Sequence, residues 1–282
     1  MMDSRYSNST KWWLAFLALI VLFLGACSST PKITQRDGVS RHLPPPEDIA
    51  GIPDATPTIE PLSNYGNPES YVVFGKRYHT LKDGRGYNER GIASWYGSKF
   101  HGRRTSSGEP YDMYAMTAAH KSLPLPSYAR ITNLKNNRSI VVKVNDRGPF
   151  HDNRLIDLSY TAAWKLGIIG EGTGLVEVSV IDPAAPKPPV TPAPIVTEPP
   201  TPRGLPELFL QVGAFGSPNN ADRLKQRIEE QLQVSVLIEK TMSSADTVFR
   251  VQVGPIASVE LADHLTQRLD RMGINNPHVV IR

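Results

Sequence analysis

The chain has 282 residues, enough for one large domain or for two small domains joined by linkers. Its 25 prolines are unevenly placed, which favours small folded units on proline-rich tethers over one large core. A formal charge of +4 suits an anionic polymer, whether nucleic acid or an acidic cell-wall glycan, without choosing between them. The single cysteine, Cys27, excludes an intramolecular disulfide.

Residues 1–26 are typical of a lipoprotein signal peptide. Arg5 and Lys11 precede an apolar run, residues 12–26, that is shorter than the roughly 20 residues of a spanning helix. The run ends in Leu-Gly-Ala-Cys, which resembles the bacterial lipobox, so Cys27 is predicted to receive a diacylglycerol. An uncleaved membrane anchor is the alternative. The residue after the cysteine is Ser28 and not an aspartate, which resembles the sorting signal of outer-membrane lipoproteins. We therefore expect a lipid anchor at the periplasmic face of the outer membrane.

The next segments read as a tether followed by a small β domain. Residues 27–68 are rich in Ser, Thr and Pro without an apolar period, which predicts a disordered tether. Residues 69–182 contain short alternating strands separated by turns and one helix, with Ser159 as its N-cap and Gly167 at its end. This pattern predicts a small β-barrel.

A second proline-rich linker, residues 183–206, precedes a C-terminal unit at residues 207–282. This unit reads as strand, helix, strand, strand, helix, strand, and its helices have apolar stripes that include Leu224 and Leu261. The order βαββαβ predicts a ferredoxin-like or RNP-like sheet with two helices. Such a sheet could bind RNA, but a lipobox argues against nucleic acid as the partner.

Candidate catalytic residues cluster between residues 91 and 150. Glu109, Asp112, His120 and Asp146 form a dense set of acid–base groups. Four aromatic residues lie upstream of this set or within it, and we predict that they bind sugar rings: Trp95, Tyr96, Phe100 and Tyr111. Simpler interpretations remain for single members: loop charges for the carboxylates, a structural histidine, and a turn at Asp146. No metal site and no cofactor are predicted, because no grouping has ligand-like spacing.

The central block resembles the rare lipoprotein A (RlpA) family. The similarity lies in the segments GIASWYG (91–97), FHGR (100–103), GEPYDM (108–113), TAAH (117–120), LPL (123–125) and VNDRGPF (144–150). The resemblance implies a double-psi β-barrel of six strands and, in active members, lytic transglycosylase activity on peptidoglycan. It places Glu109, Asp112, His120 and Asp146 at the family's functional positions, with Asp146 as main acid/base and His120 supporting it. A further similarity to expansin barrels makes Asp157 a candidate cleft carboxylate or a helix-start residue.

The C-terminal unit resembles a SPOR domain. The similar segments are FLQVGAF (209–215) and FRVQVGP (249–255), and the resemblance implies binding of denuded septal glycan on the sheet face. The candidate contacts are Gln211, Phe215, Arg250 and Gln252; core packing is the alternative for Phe215.

We therefore expect an endolytic lytic transglycosylase that cleaves the β-1,4 bond between N-acetylmuramic acid and N-acetylglucosamine at the division septum. Divisome proteins are candidate partners. The alternatives are a non-enzymatic, expansin-like glycan-binding lipoprotein and a scaffold for other septal proteins.

Overall fold

The computed structural model describes residues 46–185, 204–242 and 247–282. The predicted signal peptide, Cys27 and most of the second linker lie outside the described residues. None of the described helices is both long enough and apolar enough to cross a membrane.

The central unit is a closed barrel of six strands, as predicted. Its strands are β3 (Asn88–Trp95), β4 (Thr117–His120), β5 (Ser127–Asn133), β6 (Ser139–Asp146), β7 (Arg154–Leu158) and β8 (Gly174–Ile181). Around the barrel they run in the order β3-β7-β4-β6-β5-β8. The pairs β3–β7 and β4–β6 are parallel and the other pairs are antiparallel. Two parallel pairs within a six-stranded barrel agree with the double-psi fold.

One helix, α1 (Tyr160–Leu166), packs on the barrel with the predicted ends. The Ser159 hydroxyl accepts from the Ala162 amide, and Gly167 takes a left-handed conformation with φ of 79°. The helix buries Ala162, Ala163 and Leu166 in the barrel core, so a short helix is stabilised mainly by packing.

The first strands form a hairpin outside the barrel, β1 (Ser70–Val73) with β2 (Lys76–His79). The alternating segment predicted as one strand turns back at Phe74 and Gly75, both with positive φ. Phe74 is 92% exposed at this turn.

The prediction of a disordered tether is wrong for residues 46–68, which we call the N-terminal strap. Ile49 is buried, and Asp54 accepts hydrogen bonds from the Val141 amide and the Lys165 ammonium. Glu60 pairs with Lys143 at 2.9 Å, and the Asn67 side chain bonds both backbone groups of Leu125. Isolated polar residues thus hold this segment on the barrel by binding backbone groups, which an apolar-period criterion does not detect.

The C-terminal unit has the predicted order: β9 (Leu208–Phe215), α2 (Pro218–Leu232), β10 (Val236–Met242), β11 (Thr247–Ile256), α3 (Val259–Arg271) and β12 (His278–Ile281). Its sheet is antiparallel with the strand order β10-β11-β9-β12. Ala221, Ile228 and Leu232 of α2 are buried as predicted. Leu261 of α3 is 43% exposed, and Ala262 is buried next to it. Leu265 and Leu269 are buried, so the predicted apolar stripe of α3 is wrong only at Leu261.

Candidate active site and glycan-binding face

Two carboxylates lie on the outer face of the barrel, on either side of Ala119 in β4. Ala119 pairs with Asp146 of β6 on one side and with Asp157 of β7 on the other. Directly paired residues point to the same face of a sheet, and two strand spacings separate their backbones by about 10 Å. Ala119 is 4% exposed and belongs to a buried cluster that includes Tyr96 and Tyr111, so aromatic side chains pack beside the strand between the two carboxylates.

Asp146 reaches this face because β6 contains one extra residue. Val144 pairs with Ala118 and Asp146 pairs with Ala119, so Asn145 has no partner in the ladder. Side chains two residues apart in a regular strand point to the same face, so Asp146 would point into the barrel like the buried Val144. Because Asn145 is an extra, unpaired residue, Asp146 points outward instead.

One oxygen of Asp146 is fixed and the other is open. Its Oδ1 accepts three hydrogen bonds of 2.7 Å, from the Ser106 amide, the Ser106 hydroxyl and the Arg147 amide. In the part of the chain that the structure describes, no hydrogen bond reaches Oδ2. The three donors fix the orientation of the carboxylate and leave Oδ2 as the oxygen available to a substrate.

Asp157 is desolvated by burial. Burial raises its pKa, although a hydrogen bond from the Ser94 hydroxyl to Oδ1 and the positive charge of Arg154 oppose that rise. Desolvation therefore favours the neutral acid. A carboxyl group with a raised pKa suits the role of an acid that protonates a leaving oxygen.

Glu109 does not join this pair directly. Its two oxygens bind the Lys143 ammonium at 2.9 Å and the Asn145 amide at 2.7 Å. Burial raises the pKa of Glu109, but the hydrogen bonds from Asn145 and Lys143 outweigh it, and the net pKa is lowered. Glu109 is therefore an ionised group that fixes the extra residue of β6.

His120 faces away from the carboxylates. It pairs with the fully buried Ile156, on the inner side of the barrel wall, one residue after the outward-facing Ala119. Its Nδ1 accepts from the Ser122 and Leu123 amides at 3.2 and 3.1 Å, so the ring proton lies on Nε2, 3.0 Å from the Tyr87 hydroxyl. Burial lowers the pKa of His120 to about 3, so the imidazole is neutral.

His120 is nevertheless connected to Asp146 through Arg147. The guanidinium Nη1 of Arg147 donates to the His120 carbonyl at 3.1 Å and to the Leu123 carbonyl at 2.6 Å. The histidine ring fixes the turn that presents these carbonyls, and the Arg147 amide donates to Asp146. We call this connection the Arg147 link.

Asp112 lies apart from the other acid–base residues. Its side chain is 56% exposed, and it accepts from the Tyr114 amide at 2.9 Å within a local turn. This geometry is that of a turn-forming aspartate.

The predicted aromatic residues form two adjoining groups. Tyr96 and Tyr111 stack at 4.1 Å, and Phe100 meets Tyr96 edge-on at 6.1 Å. Trp95 packs edge-on against Tyr160 at 5.7 Å and borders the barrel core. Tyr96, Tyr111 and Ala119 belong to one buried cluster, so these rings adjoin the carboxylate face.

In the C-terminal unit, Gln211, Arg250 and Gln252 share the sheet face that is turned away from the helices. Gln252 pairs with Gln211 across the strands, and the Arg250 guanidinium lies 3.3 Å from the Gln211 amide oxygen. Their neighbours Leu210, Val251 and Val253 are buried under the helices. Three of the four predicted contacts are therefore brought together.

Phe215 lies on the other face. A Cβ added to Gly213 would meet both Phe215 and Leu224 of α2, which places the Phe215 ring beneath the helix.

Sequence reasoning also missed three residues of the polar face. Arg282 lies over the Phe209 ring at 4.8 Å and bonds Glu239 at 2.7 Å and Gln252. Phe209 was visible as part of a motif, whereas Glu239 and Arg282 had no motif to mark them.

Comparison with known proteins identifies both units. Residues 88–180 match a family described as lytic transglycolase, and residues 207–280 match the SPOR domain family. A crystal structure of the RlpA SPOR domain from Pseudomonas aeruginosa is 29% identical, covering 26% of this chain and 96% of that chain, with a TM-score of 0.25.

Curated relatives match over a greater length. The endolytic peptidoglycan transglycosylase RlpA of Pseudomonas aeruginosa strain UCBPP-PA14 is 40% identical, covering 81% of this chain and 80% of its own. The protein of the same name from Vibrio cholerae is 39% identical, covering 93% of this chain and 94% of its own. Because both relatives match over most of this chain and most of their own length, the chain belongs to the RlpA family.

Proposed function

We propose that this protein is an endolytic lytic transglycosylase that cleaves the β-1,4 bond between N-acetylmuramic acid and N-acetylglucosamine in denuded glycan strands. The observation that supports this most is the pair Asp146 and Asp157, which flank Ala119 on one face: Asp146 is fixed through Oδ1, and burial raises the pKa of Asp157. The names of the relatives support the reaction class. We propose residues 69–182 as the catalytic domain and residues 207–282 as the glycan-binding domain.

The proposed reaction transfers two protons and uses no water. Asp157 gives its proton to the bridging oxygen as the bond from that oxygen to C1 of the muramic acid breaks. The C6 hydroxyl oxygen of the same sugar bonds to C1, and its proton passes to Oδ2 of Asp146. The products are a 1,6-anhydromuramic end and a free C4 hydroxyl on N-acetylglucosamine. Proton exchange with solvent then restores both carboxyl groups.

Glu109 and His120 act as positioning residues in this proposal. Glu109 binds Asn145, the extra residue that turns Asp146 outward, and Ser107 donates to the Asn145 carbonyl at 3.2 Å. His120 holds the turn to which Arg147 is bonded. Phe100, which is 36% exposed, contacts the sugar, and the buried Tyr96 and Tyr111 support its ring from behind, whereas Asp112 affects binding only through its turn.

We also propose recruitment to the septum. The polar sheet face binds glycan from which stem peptides have been removed, with Gln211 and Arg250 as contacts and Gln252, which is 1% exposed, bonded beneath to Glu239 and Arg282. A lipid on Cys27 holds the chain at the periplasmic face of the outer membrane, within reach of that polymer.

The pH dependence of cleavage tests the acid. In Ser94→Ala the hydrogen bond that lowers the pKa of Asp157 is lost, so that pKa rises. Because cleavage needs protonated Asp157, we expect the basic limb of kcat/KM on denuded strands to move to higher pH. Asp112→Asn should leave the profile unchanged, and Asp157→Asn or Asp146→Asn should lower kcat by about 100-fold or more. A basic limb unmoved by Ser94→Ala contradicts Asp157 as the acid.

The stability of the barrel tests the neutral state of His120. Between its unfolded pKa near 6.5 and its folded value of about 3, the unfolded chain binds a proton that the folded chain excludes. The free energy of unfolding should therefore fall as pH falls through this window. In His120→Gln this decrease in the free energy of unfolding between about pH 6.5 and pH 3 should disappear. Denaturant titration followed by tryptophan fluorescence at several pH values measures it.

The exposed His264 provides the matched control, since His264→Gln should keep the parent slope. Equal acid slopes for the parent and His120→Gln would show that His120 is not buried as a neutral ring. A normal kcat in a folded His120→Gln protein would remove its positioning role.

Co-sedimentation tests the glycan-binding face. Arg250→Ala with Gln252→Ala should weaken binding of the full chain to amidase-treated sacculi by about tenfold. Arg223→Ala, on the exposed side of α2, is the control and should bind like the parent. Unchanged binding and unchanged septal localisation of the double variant would exclude this face.

A further inference from the structure

The β1–β2 hairpin lies outside the residues matched by the transglycolase family, and two of its rings form an aromatic cluster with Phe150 of the barrel domain. Tyr71 and Tyr78 pair across the two strands and stack at 5.4 Å. Phe150 meets Tyr71 at 6.1 Å and Tyr78 at 5.6 Å. All three side chains are half-buried. We call these residues the hairpin platform.

The hairpin platform adjoins the carboxylate face through Gly148. Phe150 lies in the loop that follows Asp146. A Cβ added to Gly148 would be 3.9 Å from both the Ala119 methyl and Cε2 of the Phe150 ring. Ala119 is the residue between Asp146 and Asp157, so Gly148 lies between the Phe150 ring and the strand that carries this pair.

The hairpin platform is held rigidly in this place. The Tyr71 hydroxyl donates to the Lys121 carbonyl at 2.7 Å, and the Arg147 guanidinium lies 6.0 Å from the centre of the Tyr71 ring. The same Arg147 donates through its amide to Asp146. Because Arg147 contacts both the Tyr71 ring and Asp146, the rings and this carboxylate hold a constant relative position.

We propose that Tyr71, Tyr78 and Phe150 form an additional sugar-binding subsite for the same glycan strand that enters the carboxylate cleft. Rigid aromatic faces with little entropy to lose suit the apolar faces of pyranose rings. Continuity with the cleft favours a saccharide over a separate protein partner.

The inference rests on the proposed function, and kinetics on strands of two lengths test it. In Phe150→Leu the apolar volume remains but the aromatic face is lost. We expect KM for an octasaccharide of alternating N-acetylglucosamine and N-acetylmuramic acid to rise about tenfold. KM for the tetrasaccharide and kcat for both should stay at parent values, because the shorter strand does not reach the subsite.

The controls separate binding from packing. Phe150→Tyr keeps the aromatic face and should keep the parent KM, and Phe74→Leu, at the exposed turn of the same hairpin, should do so too. The subsite is excluded if Phe150→Leu has the parent KM for both the octasaccharide and the tetrasaccharide. It is also excluded if KM rises by the same factor for both.

The absence of all turnover in the parent would refute the proposed function alone. Calorimetric titration of the octasaccharide into Asp146→Asn, with and without Phe150→Leu, would then still decide the subsite. Equal affinities of these two proteins would reject it.

Discussion

One extra residue in β6 decides whether this barrel has an outward-facing pair of carboxylates. If Asn145 occupied a regular paired position in the ladder, Asp146 would alternate back to the side of Val144 and point into the core. The backbone irregularity is maintained by hydrogen bonds that the Asn145 side-chain amide donates to Glu109 and that the Ser106 hydroxyl donates to Asp146. The position of the reacting group therefore depends on polar contacts around a bulge and not on core packing alone.

Four carboxylates that look alike in sequence acquire different roles from their surroundings. Asp146 accepts three donors at one oxygen, Asp157 is desolvated, Glu109 is paired with a cation, and Asp112 is exposed in a turn. Only the first two flank the same residue, Ala119, on one face of the barrel. Arg147 then connects Asp146 to the turn held by His120 and to the aromatic hairpin, so distant segments fix one carboxylate.

The sequence predicted the barrel and the C-terminal βαββαβ unit, because alternating strands, Ser159 and the helical apolar stripes are local signals. It did not predict which way side chains face where a strand is irregular. Gln211 and Phe215 are four residues apart, so alternation puts them on one face, but the pairing skips Val212 and separates them. His120 ends the strand Thr-Ala-Ala-His, whose small residues mark neither face. The N-terminal strap was missed because its contacts are to backbone groups far along the chain.

The central claim is that the sugar's own hydroxyl, and not water, attacks C1. Mass spectrometry of denuded strands digested by the full chain in H₂¹⁸O measures this directly. The account predicts new 1,6-anhydro ends without ¹⁸O, absent from digests with Asp146→Asn or Asp157→Asn. Reducing ends labelled with ¹⁸O would show hydrolysis, and strands recovered intact would show a glycan-binding barrel without catalysis; either result would contradict the account.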